Sequence, residues 1–566
     1  MLFALSGFAG VAGASWAPNG NPASLAADNQ GNAQCVSDGA GGIIIVWQDY
    51  RYDPPDTSTT PDDLRDTSAV FVQRLNASGT PMWAADGVRV CTSDGPQQAP
   101  VICSDGAGGA IMAWQDHRSG AYDIYVQAVS AAGALKWPSD GVLLCGATNQ
   151  QVLEVIAPDA AGGAIVAWRD SRTGDSDVYA RRVNSTGTPL WTVDGEAVCV
   201  QPNTQTDIRI LPDQLGGALM AWRDARNGTL NNDIYAQSLD SNGAPRWALN
   251  GAVVCDDPSD QREPRIVNDG RYGLIVTWHD FRPPGAGRLF AQRLGPTGTP
   301  LWPANGNPLG AAGVGVSGLQ SVTDGLAGCI VGWNDARGGA KPQVYAQRAD
   351  SLGVTQWGLD GIGICPTDSG QAVTTGVSDG LGGAIFGWDD QRSGALNPDI
   401  FAQSVAPNGT LRWGASGLLV ATAAGTQRLT TSAPDGYGGV LFGWEDFRSG
   451  TTSDVYAIRL TSLGTGVGSA AVPRPSARLF PARPNPFNPR TVLEFSLDAP
   501  SSYRFVIHDV RGRLVRVIGE GNAGAGRRAY SWDGLNEVGA PCSSGVYFAV
   551  LTLPGVTRST PLTLLR

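Results

Sequence analysis

Histidine is nearly missing from this chain: it occurs 3 times in 566 residues, at His117, His279 and His508, with no two close in sequence. That leaves little support for a histidine-based zinc site or a Ser-His-Asp triad. The nine cysteines include no CxxC spacing of the kind that holds metals. No apolar run reaches the ~20 residues of a membrane-spanning helix, and no long stretch has a helical period of apolar residues. Positive charge is also scarce over most of the length. The net charge of -11 divides into -17 for residues 1–470 and +6 for residues 471–566. An acidic body argues against nucleic acid or an anionic membrane as the main partner.

What abounds is glycine, 76 residues, together with 37 prolines, which points to many short strands and tight turns. The length predicts a large buried core and more than one domain. The motif W-x-D-x-R begins at Trp47, Trp114, Trp168, Trp222, Trp278, Trp333, Trp388 and Trp444, spaced 54 to 56 residues apart after the first interval. A second tryptophan recurs at Trp83, Trp137, Trp191, Trp247, Trp302, Trp357 and Trp413, seven copies against eight. Trp16, before the first unit, supplies the missing copy. That offset predicts that the N-terminal strand completes the last repeat and closes the array into a ring.

One unit contains four strand-like runs, APVICSD, GAIMAWQD, DIYVQAV and ALKWPSDGVLLC, separated by glycine-rich turns. Four strands per unit in a closed array predict an all-β, eight-bladed β-propeller over residues 15–466. The unit resembles the WD40-like repeats of TolB-type propellers at Asp105-Gly106, Asp116, Arg118, Gly120 and Asp123-Ile-Tyr125. The resemblance implies the fold and no particular activity.

Every copy of the motif keeps its Asp and its Arg. A reactive centre needs one constellation, whereas packing between blades needs the same parts eight times, so the motif reads as structural. His117 is then an incidental neighbour. Cys91, Cys145, Cys199, Cys255 and Cys365 share one repeated position and read as small buried hydrophobes, Cys91–Cys103 being the one pair to check for a bridge.

Candidate sites lie where the units differ. Glutamine stands eight residues before the turn Asp in seven units, as Gln30, Gln97, Gln151, Gln205, Gln261, Gln371 and Gln427, with Val316 in the sixth. Such carboxamides at a channel mouth would bind a polyhydroxylated ligand, or else satisfy backbone groups of the adjoining blade. Units four and five carry Asp207 with Arg209 and Glu263 with Arg265 at matching positions. The two carboxylates read either as an acid and base for glycoside cleavage or as members of an inter-blade salt-bridge network. The first unit has an insertion bearing Asp53, Asp56, Asp62, Asp63 and Asp66, oxygen ligands suited to Ca2+ although without EF-hand spacing, or a solvated acidic loop. No other cofactor is expected.

The N-terminus, MLFALSGFAGVAGASW, has the apolar run and Ala12-Gly13-Ala14 ending of a signal peptide over 1–14, without a basic start, the alternative being a buried first strand. Residues 467–478 read as a glycine- and proline-rich linker, and 479–566 as a small β-sandwich. The matching residues there are Pro484-Asn-Pro-Phe-Asn-Pro489, His508-Asp-Val-Arg-Gly-Arg513, Trp532-Asp-Gly534, Ser544-Gly-Val-Tyr547 and Leu562-Thr-Leu-Leu-Arg566. They resemble the FlgD-type immunoglobulin-like domain and the related type IX secretion sorting domain. That resemblance implies a secreted or surface-attached bacterial protein that meets secretion machinery through its C-terminal domain. The expected function is a non-enzymatic propeller that binds a glycan or an extracellular protein. The alternatives are an exported polysaccharide hydrolase or lyase using Asp207 and Glu263, and a structural surface component.

Overall fold

The computed structural model describes residues 16–52, 68–464 and 477–565, less short interruptions at 214, 283–286, 311–314, 340, 396, 451, 481, 498–500, 510–512, 525, 538 and 554–555. The expected signal peptide, the acidic insertion with Asp53, Asp56, Asp62, Asp63 and Asp66, and residues 467–476 of the linker lie outside the described residues. The described chain is all-β, with one three-residue 3₁₀ turn at Gln391–Ser393. No helix among the described residues is long and apolar enough to cross a membrane.

The second unit shows how sequence makes a sheet. Its strands are Gln97–Ser104, Ala110–Asp116, Asp123–Val129 and Val142–Cys145, paired antiparallel in that order. The second strand, AIMAWQD, is buried at every residue because both of its faces are covered. A continuous apolar run follows from that, where a half-exposed strand would alternate. The turn into it is held by Asp105, whose Oδ1 accepts from the backbone N–H of Ala107 and of Gly109, each at 2.8 Å. Glycine is required at position 109, since a Cβ there would lie 2.2 Å from the carbonyl oxygen of Val129.

Among the described residues, eight such four-stranded sheets precede residue 465. Each first strand touches the first strand of the next sheet, and Gln427–Pro434 of the last touches Gln30–Ser37 of the first. The fourth position of the last sheet is taken by Asn21–Ser24, paired antiparallel with Asp454–Leu460.

The W-x-D-x-R motif welds the end of each second strand. In all eight copies the indole N–H donates to the aspartate Oδ2 at 2.7–3.0 Å, and the aspartate is fully buried. The arginine backbone N–H donates to Oδ1, and its guanidinium bonds the same carboxylate. That guanidinium stacks on a Phe or Tyr of the third strand, 3.6–4.1 Å from the ring centre. Burial works against the Asp390 charge, yet hydrogen bonds from Arg392, Trp388 and Ser369 hold its carboxyl below the ordinary value. Removing one partner from such a pair costs about 3–5 kcal/mol. The structural reading of the motif is the one this geometry supports.

Two further bonds join neighbouring sheets. The second tryptophan of each unit donates its indole N–H to a carbonyl of the next sheet at 2.9–3.4 Å, for example Trp137 to Ser185. Trp16 makes the equivalent bond to Ala77 at 3.0 Å, and Arg448 reaches Asn19 as Arg172 reaches Asp194. The N-terminal segment thus stands in the last sheet where the segment leading into a fourth strand stands in the others.

The other bond uses the middle residue of W-x-D. Its side-chain oxygen accepts from the backbone N–H of the following first strand: Gln115 from Leu153 at 2.8 Å, Asn334 from Val373 at 2.7 Å, Asp389 from Leu429 at 3.0 Å and Glu445 from Asn32 at 2.8 Å. Where this residue is acidic, burial raises its pKa. Asp389 is pushed up from 3.8 to about 7, against the pull of Leu429 N–H and Arg428.

The C-terminal part packs a three-stranded sheet, Ala477–Leu479, Thr491–Leu497 and Gly526–Trp532, against a four-stranded one. Phe487, Phe495, Phe505, Trp532 and Tyr547 form its core, separate from that of the eight sheets.

Two outcomes follow. Trp16→Ala costs about 3–5 kcal/mol in chemical unfolding, as does Trp137→Ala inside the array. A loss under about 1 kcal/mol at Trp16 alone would show that the first segment is dispensable. For Asp389 the sign is set by a folded pKa above the unfolded one: the folded chain binds more protons between the two values, so stability falls as pH rises from 3.8 to about 7 and stays lowered above it. Asp389→Asn keeps an acceptor oxygen, as Asn334 does. It is therefore more stable than the native chain at alkaline pH and gains nothing at acid pH, read by urea unfolding at both.

Candidate functional site

The middle residue of W-x-D fails as an acceptor in three consecutive sheets. There it is Arg169, Arg223 and His279, in the second strands Ala164–Asp170, Ala218–Asp224 and Leu274–Asp280. Each lies in register beside the start of its own first strand: Arg169 opposite Val152, Arg223 opposite Thr206, His279 opposite Arg262. At the third-to-fourth junction, Glu154 of the first strand Gln151–Pro158 substitutes, accepting from Ile208 N–H at 2.7 Å. Ile208 stands one residue beyond the position that matches Leu153, Val373 and Leu429, which in the fourth and fifth sheets is held by Asp207 and Glu263.

Local backbone geometry presents the carboxylates. The first strands Gln205–Pro212 and Gln261–Asn268 shift register between Thr206 and Arg209 and between Arg262 and Arg265. Asp207 and Glu263 occupy those bulges with φ of 56° and 52°. A bulge re-aims its side chain. Asn32, Ala99 and Gly318 take the same conformation in other sheets, so the bulge belongs to the fold and the charge belongs to this place.

Charges here pair within a sheet. Arg169 lies 2.5 Å from Glu154, Arg223 is 3.4 Å from Asp207, and His279 Nδ1 is 3.6 Å from Glu263. The Asp207 and Glu263 side chains remain 32 % and 45 % exposed. Burial raises the Glu154 carboxyl despite Arg169. His279 is buried, and desolvation together with Arg265 lowers it from 6.5 against the attraction of Glu263. Arg265 is pushed down to about 10 by burial first and by Arg209 second.

Several expectations are corrected. Asp207 and Glu263 are not matched by Arg209 and Arg265, nor do they bridge between sheets; their partners are Arg223 and His279 in their own sheets, because the antiparallel register puts those residues alongside. Gln30, Gln97, Gln151, Gln205, Gln261, Gln371 and Gln427 do not offer their amides to a ligand. All are at most 2 % exposed, and each Nε2 donates to a carbonyl of the loop entering its own strand, as Gln97 does to Ser93 at 2.9 Å. His117 merely packs edge-on to Tyr122. Cys91 and Cys103 are unbridged. Among the described residues no group of His, Cys, Asp or Glu is placed to hold a metal ion.

The site therefore comprises Glu154, Arg169, Asp207, Arg209, Arg223, Glu263, Arg265 and His279. Sequence reasoning found four of these and missed Glu154, Arg169, Arg223 and His279. For the last three the signal was present: a slot filled by Gln, Gln, Asn, Asp and Glu in five units turns to Arg, Arg and His in the other three. The arrangement offers half-exposed carboxylates to hydroxyl donors and guanidinium groups to anions.

No sequence among the curated proteins matches this chain. Among solved structures it is similar to a polysaccharide lyase, Uly1, at 11% identity over 81% of this chain and 94% of that one, TM-score 0.42. An ulvan lyase of family PL25 is similar at 10% identity over 78% and 96%, TM-score 0.41. Dipeptidyl peptidase 4 of Porphyromonas gingivalis is similar at 11% identity over 85% and 65%, TM-score 0.41. Likenesses this low carry no argument about ligand or reaction. The C-terminal sandwich is identified more firmly: residues 488–553 match the FlgD Ig-like domain.

Proposed function

We propose that this chain is a binding protein of the bacterial exterior, a β-propeller that engages a glycan or an extracellular protein at the mouth formed by its third, fourth and fifth sheets. One observation carries the reading. The slot that lends an acceptor oxygen across the junction in the other sheets is filled by Arg169, Arg223 and His279 in three consecutive sheets, and the half-exposed carboxylates Asp207 and Glu263 stand beside the last two. A fold that otherwise repeats its parts gains nothing in stability from that exchange, since exposed ion pairs contribute only ~0.2–1 kcal/mol. Export through the N-terminal segment, and attachment or sorting through the FlgD-type domain, complete the proposal. Ca2+ on the acidic insertion remains part of it as a structural ion.

Catalysis by Asp207 and Glu263 is less well supported. Glycoside cleavage needs one carboxyl held neutral as an acid and another free as a base or nucleophile. Here Asp207 is ion-paired to Arg223 within its own sheet and Glu263 stands beside the His279 imidazole, so neither carboxyl is set apart from the other as acid or as base.

The test is a thermal-shift screen of the full chain against Ca2+ and a panel of bacterial and plant polysaccharides. A ligand at 100 times its Kd adds about 2.7 kcal/mol of stability. The expected result is a shift with a glycan that Asp207→Asn with Glu263→Gln removes, without product formation. Product that disappears in Asp207→Asn would replace the binding reading with the enzymatic one. A shift untouched by both substitutions would move the site away from this mouth.

A further inference from the structure

We propose that Arg209 and Arg265 form an anion subsite within this mouth, so that its ligand is an acidic polysaccharide carrying carboxylate or sulfate groups. The inference rests on the mouth being the binding site and adds the class of ligand. At the position of these two residues the other first strands carry Gln34, Val101, Val155, Gln320, Thr375 and Thr431, all uncharged. Two adjacent sheets thus place a guanidinium at one level of the mouth, two residues further along the strand than Asp207 and Glu263.

Every other arginine of the cluster is committed. Arg169 pairs with Glu154, Arg223 with Asp207 and Arg262 with Asp260. Arg209 and Arg265 make no ion pair. Their side chains bond only the carbonyl that precedes them in their own strand, Arg209 to Ile208 at 2.8 Å and Arg265 to Pro264 at 3.1 Å. Burial first and the adjacent Arg209 second lower Arg265, and the pull of Glu263 and Asp207 does not offset them. An anion between them supplies the missing charge and takes paired N–H donors from planar guanidinium forks.

The exposed carboxylates decide the rest of the ligand. Asp207 and Glu263 accept hydrogen bonds and need donors close to the anion. A uronate or sulfated sugar carries hydroxyls on the same ring as its charge, whereas an acidic peptide offers mainly acceptors on its side chains.

Binding of the full chain is measured by calorimetry to polygalacturonate and to dextran sulfate, with methyl-esterified polygalacturonate and plain dextran as uncharged counterparts. The expected result is binding to a charged polymer alone, the responsive one telling carboxylate from sulfate. Affinity then falls at least about tenfold in Arg209→Gln with Arg265→Gln, and also in about 0.5 M NaCl. The double variant melts no lower than the native chain, because it loses an unpaired cation, and Arg265→Lys retains part of the binding. Unchanged affinity in the folded double variant would overturn the subsite. Equal binding of the uncharged polymers, still abolished by Asp207→Asn with Glu263→Gln, would overturn it while leaving the mouth as the site. Equally tight binding of polyglutamate would overturn the choice of a glycan. No binding of any polysaccharide would remove the glycan-binding mouth and the subsite together.

Discussion

The structure depends on a buried aspartate that accepts an indole N–H on one side and an arginine on the other. A carboxylate out of water is costly unless its oxygens are satisfied. Each of the eight aspartates meets that demand within its own five-residue motif, through Trp Nε1, the arginine backbone and the guanidinium. Its arginine then stacks on the third strand and bonds the carbonyl of a following turn, so one charge fixes three strands and a loop. Tryptophan supplies area and a donor together, and each buried ring removes about 150–250 Å² from water.

This unit also explains where variation is tolerated. Side chains two apart on a strand share a face, so the Trp and the Asp point one way and the residue between them points the other. That residue is free of the weld and is used to join sheets through a single acceptor oxygen. A join of this kind can be lost if another residue supplies the oxygen, as Glu154 does for Ile208 at the third-to-fourth junction. In the third to fifth sheets the middle residue is Arg169, Arg223 and His279.

Much of this was legible beforehand. The strands, the two tryptophan sets and the structural role of the motif follow from spacing alone, because a repeated unit must satisfy the same contacts each time. Trp16 illustrates the strength of that logic: its lone position ahead of the first unit anticipated the bond to Ala77. The glutamines show its weakness. A residue kept in seven units reads equally as a ring of ligands or as loop support, and only burial separates the two.

The sequence by itself determined the all-β architecture, the presence of a distinct C-terminal sandwich and the asymmetry of units four and five, since these are matters of period, composition and position. Tertiary structure decided which charges meet. Asp207 and Glu263 were read as an acid–base pair or as members of an inter-blade network, yet Asp207 faces Arg223 and Glu263 faces His279, each within its own sheet. Antiparallel register and a bulge set those pairings, and neither is written in the spacing of one strand. The same geometry leaves Arg209 and Arg265 outside any ion pair, bonded only to the carbonyls that precede them.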